Sequence, residues 1–307
     1  MYRGGKISDE GSKTLGNTLL YLSLPCVIVS SFLTERTQER VTAFGLSALA
    51  ALVVLLISIL ISQWLLGKNA IDIIAGAFSN VGFFGVPLIT AYLSSEDVFY
   101  IVPFIAFLNL FQWTYGVTLL QKSDENGRLE KNEHREAKKQ RFQQPDTDKQ
   151  AWPLIKKIIT APFMIAILSG SVIFFTGISL PSVFVKCINH IANVNTPLAM
   201  FSVGTYLAQT DLVKMFAKGR LYYISLVRMI LIPAATILVL CPIPNSMLNL
   251  KMSILIASAC PVGSNVAVYA QLHGKDYSYA VETVVISTVL SIAVIPLMVG
   301  IGGWIWN

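Results

Sequence analysis

The chain has 307 residues, of which 54% are apolar and only 13% are charged, and its net charge is +6. Soluble domains carry about 25% charged residues, so this composition and a mean hydropathy of +0.63 exclude an ordinary soluble protein and indicate a polytopic membrane protein. The basic charge does not indicate a nucleic-acid partner, because the lysines and arginines flank apolar segments, where membrane topology accounts for them.

The apolar segments are long enough to span a bilayer as helices of about 20 residues. Nine such spans are predicted, at residues 12–33, 42–67, 72–95, 98–121, 154–178, 182–209, 219–241, 249–273 and 277–303. The hydrophilic segment 122–153 divides the chain into residues 1–121, with four spans, and residues 154–307, with five. This segment is rich in Glu, Lys, Arg and Gln and cannot bury a core. We therefore expect an all-α protein with two halves joined by a polar linker.

Lysines and arginines are concentrated in and beside segment 122–153. The positive-inside rule then predicts that this segment is cytoplasmic, with the N-terminus inside and the C-terminus outside. The first residues are polar and lack the apolar core of a signal peptide. The expected location is the inner (plasma) membrane.

Two of the spans, 72–95 and 249–273, are interrupted at their middle. The interruptions are Ser79-Asn80-Val81-Gly82-Phe83-Phe84-Gly85-Val86-Pro87 and Cys260-Pro261-Val262-Gly263-Ser264-Asn265-Val266. Lipid offers no partner to the backbone groups that a break releases, so broken membrane helices are tolerated where they line an enclosed cavity. Paired breaks in the two halves of a chain point to the binding site of a secondary transporter.

The two halves also share short matches. Leu24-Pro25 in the first span corresponds to Thr196-Pro197 in the sixth, and Gly82 corresponds to Gly263. Because the match begins at the second span of the later half, the halves are predicted to have opposite orientations, as in an inverted repeat. The fifth span has no counterpart, so either the fold is four plus five or a helix is missing before Met1.

We expect a small anion to bind where the two breaks cross, because the second half of each helix begins with unpaired N–H groups and a positive dipole end. Such a site needs no full buried cation. Asparagines can donate and accept, glycines let the backbones approach closely, and prolines remove helical hydrogen bonds. The predicted substrate-binding residues are Asn80, Gly82, Gly85, Pro87, Asn109, Pro261, Gly263, Ser264, Asn265 and Thr288.

Two charged residues within spans are candidates for coupling. Glu282 is a candidate proton carrier, since intramembrane carboxylates are often functional, or else it reaches the membrane edge. Arg228 could attract an anion, or pair with a carboxylate or a lipid phosphate. The alternative for the polar residues Asn109 and Thr288 is hydrogen bonding between helices. The interface anchors expected from the aromatic-belt rule are Tyr2, Trp64, Trp304 and Trp306.

The order and spacing of these motifs resemble the auxin efflux carrier family of permeases over nearly the whole chain. The residues that carry the resemblance are Gly5-Lys6-Ile7-Ser8, Leu24-Pro25, Asn80-x-Gly82-x-x-Gly85-x-Pro87, Pro197-Leu198-Ala199, Gly204-x-x-Leu207, Pro261-x-Gly263-x-Asn265, Ser287-Thr288-x-x-Ser291 and Pro296. The resemblance implies ten spans in two inverted repeats, similar to the bile-acid sodium symporter fold. It also implies a scaffold, a mobile domain with two crossing broken helices, and a homodimer through the scaffold helices. Since Arg3-Gly4-Gly5-Lys6 resembles the end of the family's first helix and the following loop, the resemblance implies a first helix that this sequence lacks.

The resemblance implies a carrier of a small organic anion, such as a carboxylate or an auxin-like acid, that works without a cofactor by rocking or elevator motion. Two alternatives stay open: a sodium-coupled symporter of the bile-acid type, and a membrane sensor that signals through the loop at 122–150. We expect no enzyme, because the sequence has no His-Glu-x-x-His, Gly-x-Ser-x-Gly or Gly-x-x-x-x-Gly-Lys-Ser/Thr motif.

Overall fold

The computed structural model of the chain describes residues 8–67, 69–120, 160–209, 218–272 and 275–306. Within these ranges the chain is mostly helical, and the β structure is one antiparallel bridge between Ser79 and Val262. The predicted cytoplasmic linker at 122–153, the motif residues Gly5-Lys6-Ile7 and the predicted anchor Tyr2 lie outside the described residues.

Up to residue 120 the described chain consists mainly of α-helices, some of which are extended by short π-helical turns. The α-helices are α1 Asp9–Thr18, α2 Leu24–Phe32, α3 Gln38–Leu66, α4 Ala70–Ala77, α5 Val86–Tyr92 and α6 Val102–Phe111. The π-helical turns are Leu19–Ser23, Val81–Gly85 and Gln112–Gly116, and a 3-10 turn, Glu96–Ile101, precedes α6.

The helices after residue 160 follow the same pattern. They are α7 Pro162–Thr176, α8 Ser182–Asn193, α9 Asn195–Gln209, α10 Gly219–Leu226, α11 Ile232–Leu240, α12 Leu248–Ala259, α13 Asn265–Leu272 and α14 Tyr277–Trp306. The π-helical turn Val227–Leu231 joins α10 to α11, and a 3-10 turn, Asn245–Met247, precedes α12.

Local sequence explains where several of these helices begin and end. Thr37 caps the start of α3, where its hydroxyl accepts a hydrogen bond from the N–H of Arg40 at 3.2 Å. Gly67 and Gly177 follow α3 and α7 with φ values of 83° and 69°. A positive φ is strained for residues with a side chain, so glycine is favoured at these two ends.

Five helical stretches are long and apolar enough to cross a membrane: Thr14–Phe32, Gln38–Leu66, Glu96–Leu120, Gly219–Leu240 and Tyr277–Trp306. They expose large apolar side chains such as Leu60, Leu238 and Ile292, as a lipid-facing surface does. These features confirm the prediction of a polytopic helical membrane protein. The other predicted spans consist of two shorter helices or begin outside the described residues, so the count of nine and the inverted repeat stay predictions.

The tryptophans predicted as interface anchors behave differently from one another. Trp64 and Trp304 are 83% and 84% exposed, as expected for anchors. Trp306 is only 3% exposed, and its ring lies 4.9 Å from Nζ of the buried Lys251 in α12. The anchor prediction is therefore wrong for Trp306, because α14 turns this face toward α12 rather than toward lipid.

Polar contacts hold each end of the helix bundle together. Where α3 ends and α14 begins, the buried carboxylate of Asp72 accepts hydrogen bonds from Arg220 and Tyr279, each at 2.8 Å. At the opposite end, Asn249 donates to Asp97 at 3.1 Å. We refer to these as the Asp72 end and the Asp97 end.

Helix α2 packs against α7 at a position where only glycine fits. A Cβ on Gly170 would lie 2.4 Å from Cδ2 of Phe32, whose buried ring contacts that of Phe99 with centroids 5.5 Å apart. We expect Gly170→Ala to destabilise the protein by about 1–3 kcal/mol, as overpacking does. Its unfolding temperature in detergent should fall accordingly.

The matched control is Gly45→Ala in α3. A Cβ there meets nothing within 4 Å, so alanine should be neutral or slightly stabilising in this helix. Equal unfolding temperatures for the two variants would contradict the packing of α2 on α7.

Candidate functional site

Both predicted interruptions are present, at the ends of α4 and α12. Cys260 precedes Pro261, and a residue before proline avoids the α-helical region; Cys260 accordingly has ψ of 148°. Phe78 ends α4 in an extended conformation, with φ of −114° and ψ of 122°. Pro87 lies in the first turn of α5, beyond the interruption, so it does not cause that break directly.

The two interruptions lie against each other and pair through their backbones. The N–H of Asn80 donates to the carbonyl of Pro261 at 2.8 Å, and the N–H of Gly263 donates to that of Phe78 at 3.0 Å. The hydroxyl of Ser287 accepts from the N–H of Val262 at 3.1 Å. Each break therefore provides the other with hydrogen-bond partners, which lipid cannot provide.

Arg228 lies against the carbonyl ends of the two half-helices that precede the breaks. At the end of α4 it donates to the carbonyl oxygens of Gly76 and Ala77, each at 3.1 Å. At the end of α12 it donates to those of Ser258, at 2.5 Å, and Cys260, at 3.3 Å. The residue is 1% exposed. The last carbonyls of a helix lack partners and carry partial negative charge, so this one cation satisfies both ends.

These contacts correct one prediction. The hydrogen bonds of Arg228 go to backbone carbonyls in the described part of the chain, rather than to a carboxylate or a lipid phosphate. Arg228 also places a full buried cation behind the crossing, so the prediction that an anion site there needs no such cation stays a prediction. The sequence signal for a role of Arg228 is its position well inside an apolar span. Its partners could not be predicted, because they depend on which helices pack together.

A cavity of about 540 Å³ borders the paired breaks. It extends toward Asn17 and Thr160, near the starts of the first helical stretch and of α7. Beside the breaks, its polar lining comes from both breaks and from the helical stretch that follows the first break, and consists of Ser79, Asn80, Asn109, Gln112, Ser264 and Asn265.

The structure brings together six of the ten predicted binding residues at this cavity: Asn80, Gly82, Asn109, Gly263, Ser264 and Asn265. Four others lie outside its lining: Gly85, Pro87, Pro261 and Thr288. Gly85 and Pro261 belong to the contact between the breaks, where a Cβ on Gly85 would lie 3.2 Å from Sγ of Cys260. The hydroxyl that contacts the second break is that of Ser287, one residue before Thr288.

Several polar groups of the lining have no protein partner in the described part of the chain. The side chain of Asn80, which is 7% exposed, makes no hydrogen bond there, and neither does the buried hydroxyl of Ser79. Asn265 donates to Gln112 at 3.0 Å through one amide N–H, which leaves its second amide N–H and its amide oxygen available. Buried polar groups are normally paired, so these groups indicate a place for water or a polar ligand.

The rest of the lining is mainly apolar, and it is uncharged among the described residues. Trp113 and Tyr269 form an edge-to-face pair with centroids 5.3 Å apart, beside Leu20, Leu108 and Val268. Among the described residues the lining includes no Lys, Arg, His, Asp or Glu. Sequence reasoning missed Trp113 and Tyr269, although both lie within a few residues of predicted site residues.

Glu282 does not lie at the cavity. Its carboxylate forms an ion pair with Nζ of Lys218 at 2.5 Å, near the start of α14. A position near the membrane edge, the second possibility for this residue, agrees with this contact. In the described ranges no group of three or more His, Cys, Asp and Glu side chains could hold a metal ion.

The glycines of the two breaks should differ in their tolerance of a side chain. A Cβ on Gly263 would lie 3.3 Å from the carbonyl oxygens of Phe78 and Ser79, whereas a Cβ on Gly82 would meet only Leu24, at an ordinary 3.6 Å. We expect Gly263→Ala to separate the paired breaks and lower the unfolding temperature in detergent, and Gly82→Ala to leave it nearly unchanged. Equal losses in both variants would contradict the backbone pairing.

Comparison with known proteins agrees with this architecture. A protein of Rhizobium meliloti (strain 1021), whose name provisionally describes it as a malonate transporter, is 23% identical over 309 residues, which cover 96% of this chain and 89% of that protein. The profile of the family described as "Membrane transport protein" matches residues 2–299. The chain therefore belongs to this family, that of the auxin efflux carriers that its motifs resemble, and is a membrane transporter rather than an enzyme.

Proposed function

We propose that the protein carries a small organic anion, with one carboxylate and an apolar body, through the cavity at the paired breaks. This proposal rests on one observation: the cavity lining includes the first residues of two helices. Gly82 belongs to the first turn of the helix Val81–Tyr92, and Gly263, Ser264 and Asn265 lie at the start of α13. Helix N-termini favour anions through their free N–H groups and their dipoles.

The charge at this site suits a single carboxylate. Each helix N-terminus is equivalent to roughly half a positive charge, so two of them provide about one. The unpartnered amide of Asn80 and hydroxyl of Ser79 add donors at the same wall. A dicarboxylate would bring a second negative charge that no charged side chain in the described lining could balance.

The size and the wall of the cavity suit a ligand with an apolar body. Its volume of about 540 Å³ lies within the range of small-molecule sites. The pair Trp113 and Tyr269 offers ring faces and edges to a flat apolar group. Malonate has no such group and would leave this wall without a partner. Because the name of the Rhizobium protein refers to malonate, malonate is the useful competitor to test against indoleacetate.

We propose that the Asp72 end faces the cytoplasm, because the segment 122–153 and its lysines and arginines precede the start of α7, where the cavity extends. The cavity would then receive the anion from inside the cell. An anion that leaves a negative interior gains about 2.3 kcal/mol per charge per 100 mV. We further propose that the anion is exported when one part of an inverted repeat moves past a scaffold, and that the protein dimerises through that scaffold.

Counterflow in proteoliposomes tests the function. Vesicles loaded with unlabelled indoleacetate should accumulate labelled indoleacetate, and phenylacetate should compete more strongly than malonate. The double variant Asn80→Ala with Asn265→Ala should lose at least tenfold in rate, since hydrogen bonds to a charged group contribute about 1.5–3 kcal/mol each.

The matched control is Asn249→Ala, which removes an asparagine that pairs with Asp97 at the other end of the bundle. Its rate should stay close to that of the unaltered protein. Faster exchange of malonate than of indoleacetate would overturn the substrate class. Absence of flux for every acid, with folded protein, would overturn the anion-carrier proposal and favour the sensor, whereas dependence of the flux on a sodium gradient would favour the symporter.

A further inference from the structure

Arg228 occupies a position that no transport step proposed above uses, yet it contacts both halves of the proposed site. We propose that Arg228 is a positioning residue that gives the site its preference for anions, because it holds the two breaks together and neutralises the negative helix ends behind them. This inference rests on the proposed function and adds to it the origin of charge selectivity.

The balance of helix charges supports this role. The ends of α4 and α12 each carry roughly half a negative charge, and the starts of Val81–Tyr92 and α13 each carry roughly half a positive charge. Without a cation these four contributions cancel, and the crossing has no net charge to attract an anion. The guanidinium removes the two negative contributions, which leaves about one positive charge beside the cavity.

The geometry of the contact requires arginine. The four carbonyl oxygens belong to two helices, and the hydrogen bonds involve Nε, Nη1 and Nη2 of Arg228. A planar fork of donors can reach acceptors on both sides, whereas a lysine ammonium donates from one point. A buried cation is costly unless hydrogen bonds surround it, and here the acceptors are carbonyls that would otherwise have no partner.

Two substitutions separate charge from geometry. Arg228→Gln removes the charge, and the KM for labelled indoleacetate should rise by about tenfold, because the attraction between a positive charge and the anion is lost. Arg228→Lys keeps the charge but has fewer donors, so its KM should stay within about threefold while the maximal rate falls.

Lys251→Gln is the matched control. Lys251 is also a cation with little exposed surface, in α12, but it donates to the carbonyl of Ile243 at 3.0 Å and to Asn245 at 2.9 Å, away from the crossing. Its loss should lower stability without a change in KM. A purely structural role for Arg228 would make its Gln variant behave like this control, which would overturn the inference.

A cross-linking arm is independent of transport. Ser79 and Val262 face each other in the antiparallel bridge. Their backbone pattern is that of a non-hydrogen-bonded pair, with Cα atoms about 4.5 Å apart, close enough for a disulfide. In a background without the four native cysteines, the pair Ser79→Cys and Val262→Cys should oxidise quickly. The same pair should oxidise slowly when Arg228→Gln is added.

The outcomes distinguish the two proposals. If the unaltered protein transports no acid, the proposed function fails, while the oxidation rates still decide whether Arg228 holds the breaks together. A folded Arg228→Gln variant with unchanged KM and unchanged oxidation rate overturns the inference. If that variant does not fold, Arg228→Lys decides, because a tenfold rise in KM with the charge retained would also overturn it.

Discussion

The four carbonyl oxygens around Arg228 belong to helices that would otherwise end inside the membrane without partners. Neither lipid nor the other half of a broken helix can supply donors at such an end. Because one buried guanidinium serves both ends, the two interruptions must lie close together, and their remaining backbone groups can then pair across the bridge of Ser79 and Val262. The position of the cavity follows from this arrangement, since the bridge forms part of its wall.

The hydrogen bonds between the two breaks determine which polar groups remain available to a ligand. The backbone groups of Asn80 and Gly263 are used by the bridge, and the N–H of Val262 is used by Ser287. The side chains of Ser79 and Asn80 have no comparable partner in the described part of the chain, although they are buried. A purely structural kink would need only the hydrogen bonds of the backbone groups of Asn80, Val262 and Gly263. The side chains of Ser79 and Asn80 favour the proposal that water or a polar ligand occupies the cavity over a tolerated irregularity in packed helices.

Much of this site could be predicted from the sequence, because glycine, proline and asparagine act locally. Pro261 prevents helix at Cys260, and two similar interruptions indicate a common site. Thr288 was predicted to bind substrate, whereas the hydroxyl that contacts the second break belongs to the neighbouring Ser287. One residue along a helix with 3.6 residues per turn changes the direction of a side chain by about 100°, which the sequence pattern alone does not resolve. The partners of Arg228 and the burial of Trp306 could not be predicted, since both depend on which helices pack together.

The location of the charged residues bears on how transport would be driven. The ion pair of Lys218 with Glu282 and the contacts of Asp72 with Arg220 lie at one end of the bundle, and the described lining of the cavity contains no carboxylate. A carrier that exchanges a proton with each substrate needs a group that titrates beside the substrate. The charge of Arg228 is held by carbonyls, and the described side chains around the cavity are neutral. We therefore expect the substrate itself to carry the charge that crosses the membrane. Membrane potential alone would then favour export of a monoanion, by about 2.3 kcal/mol per 100 mV.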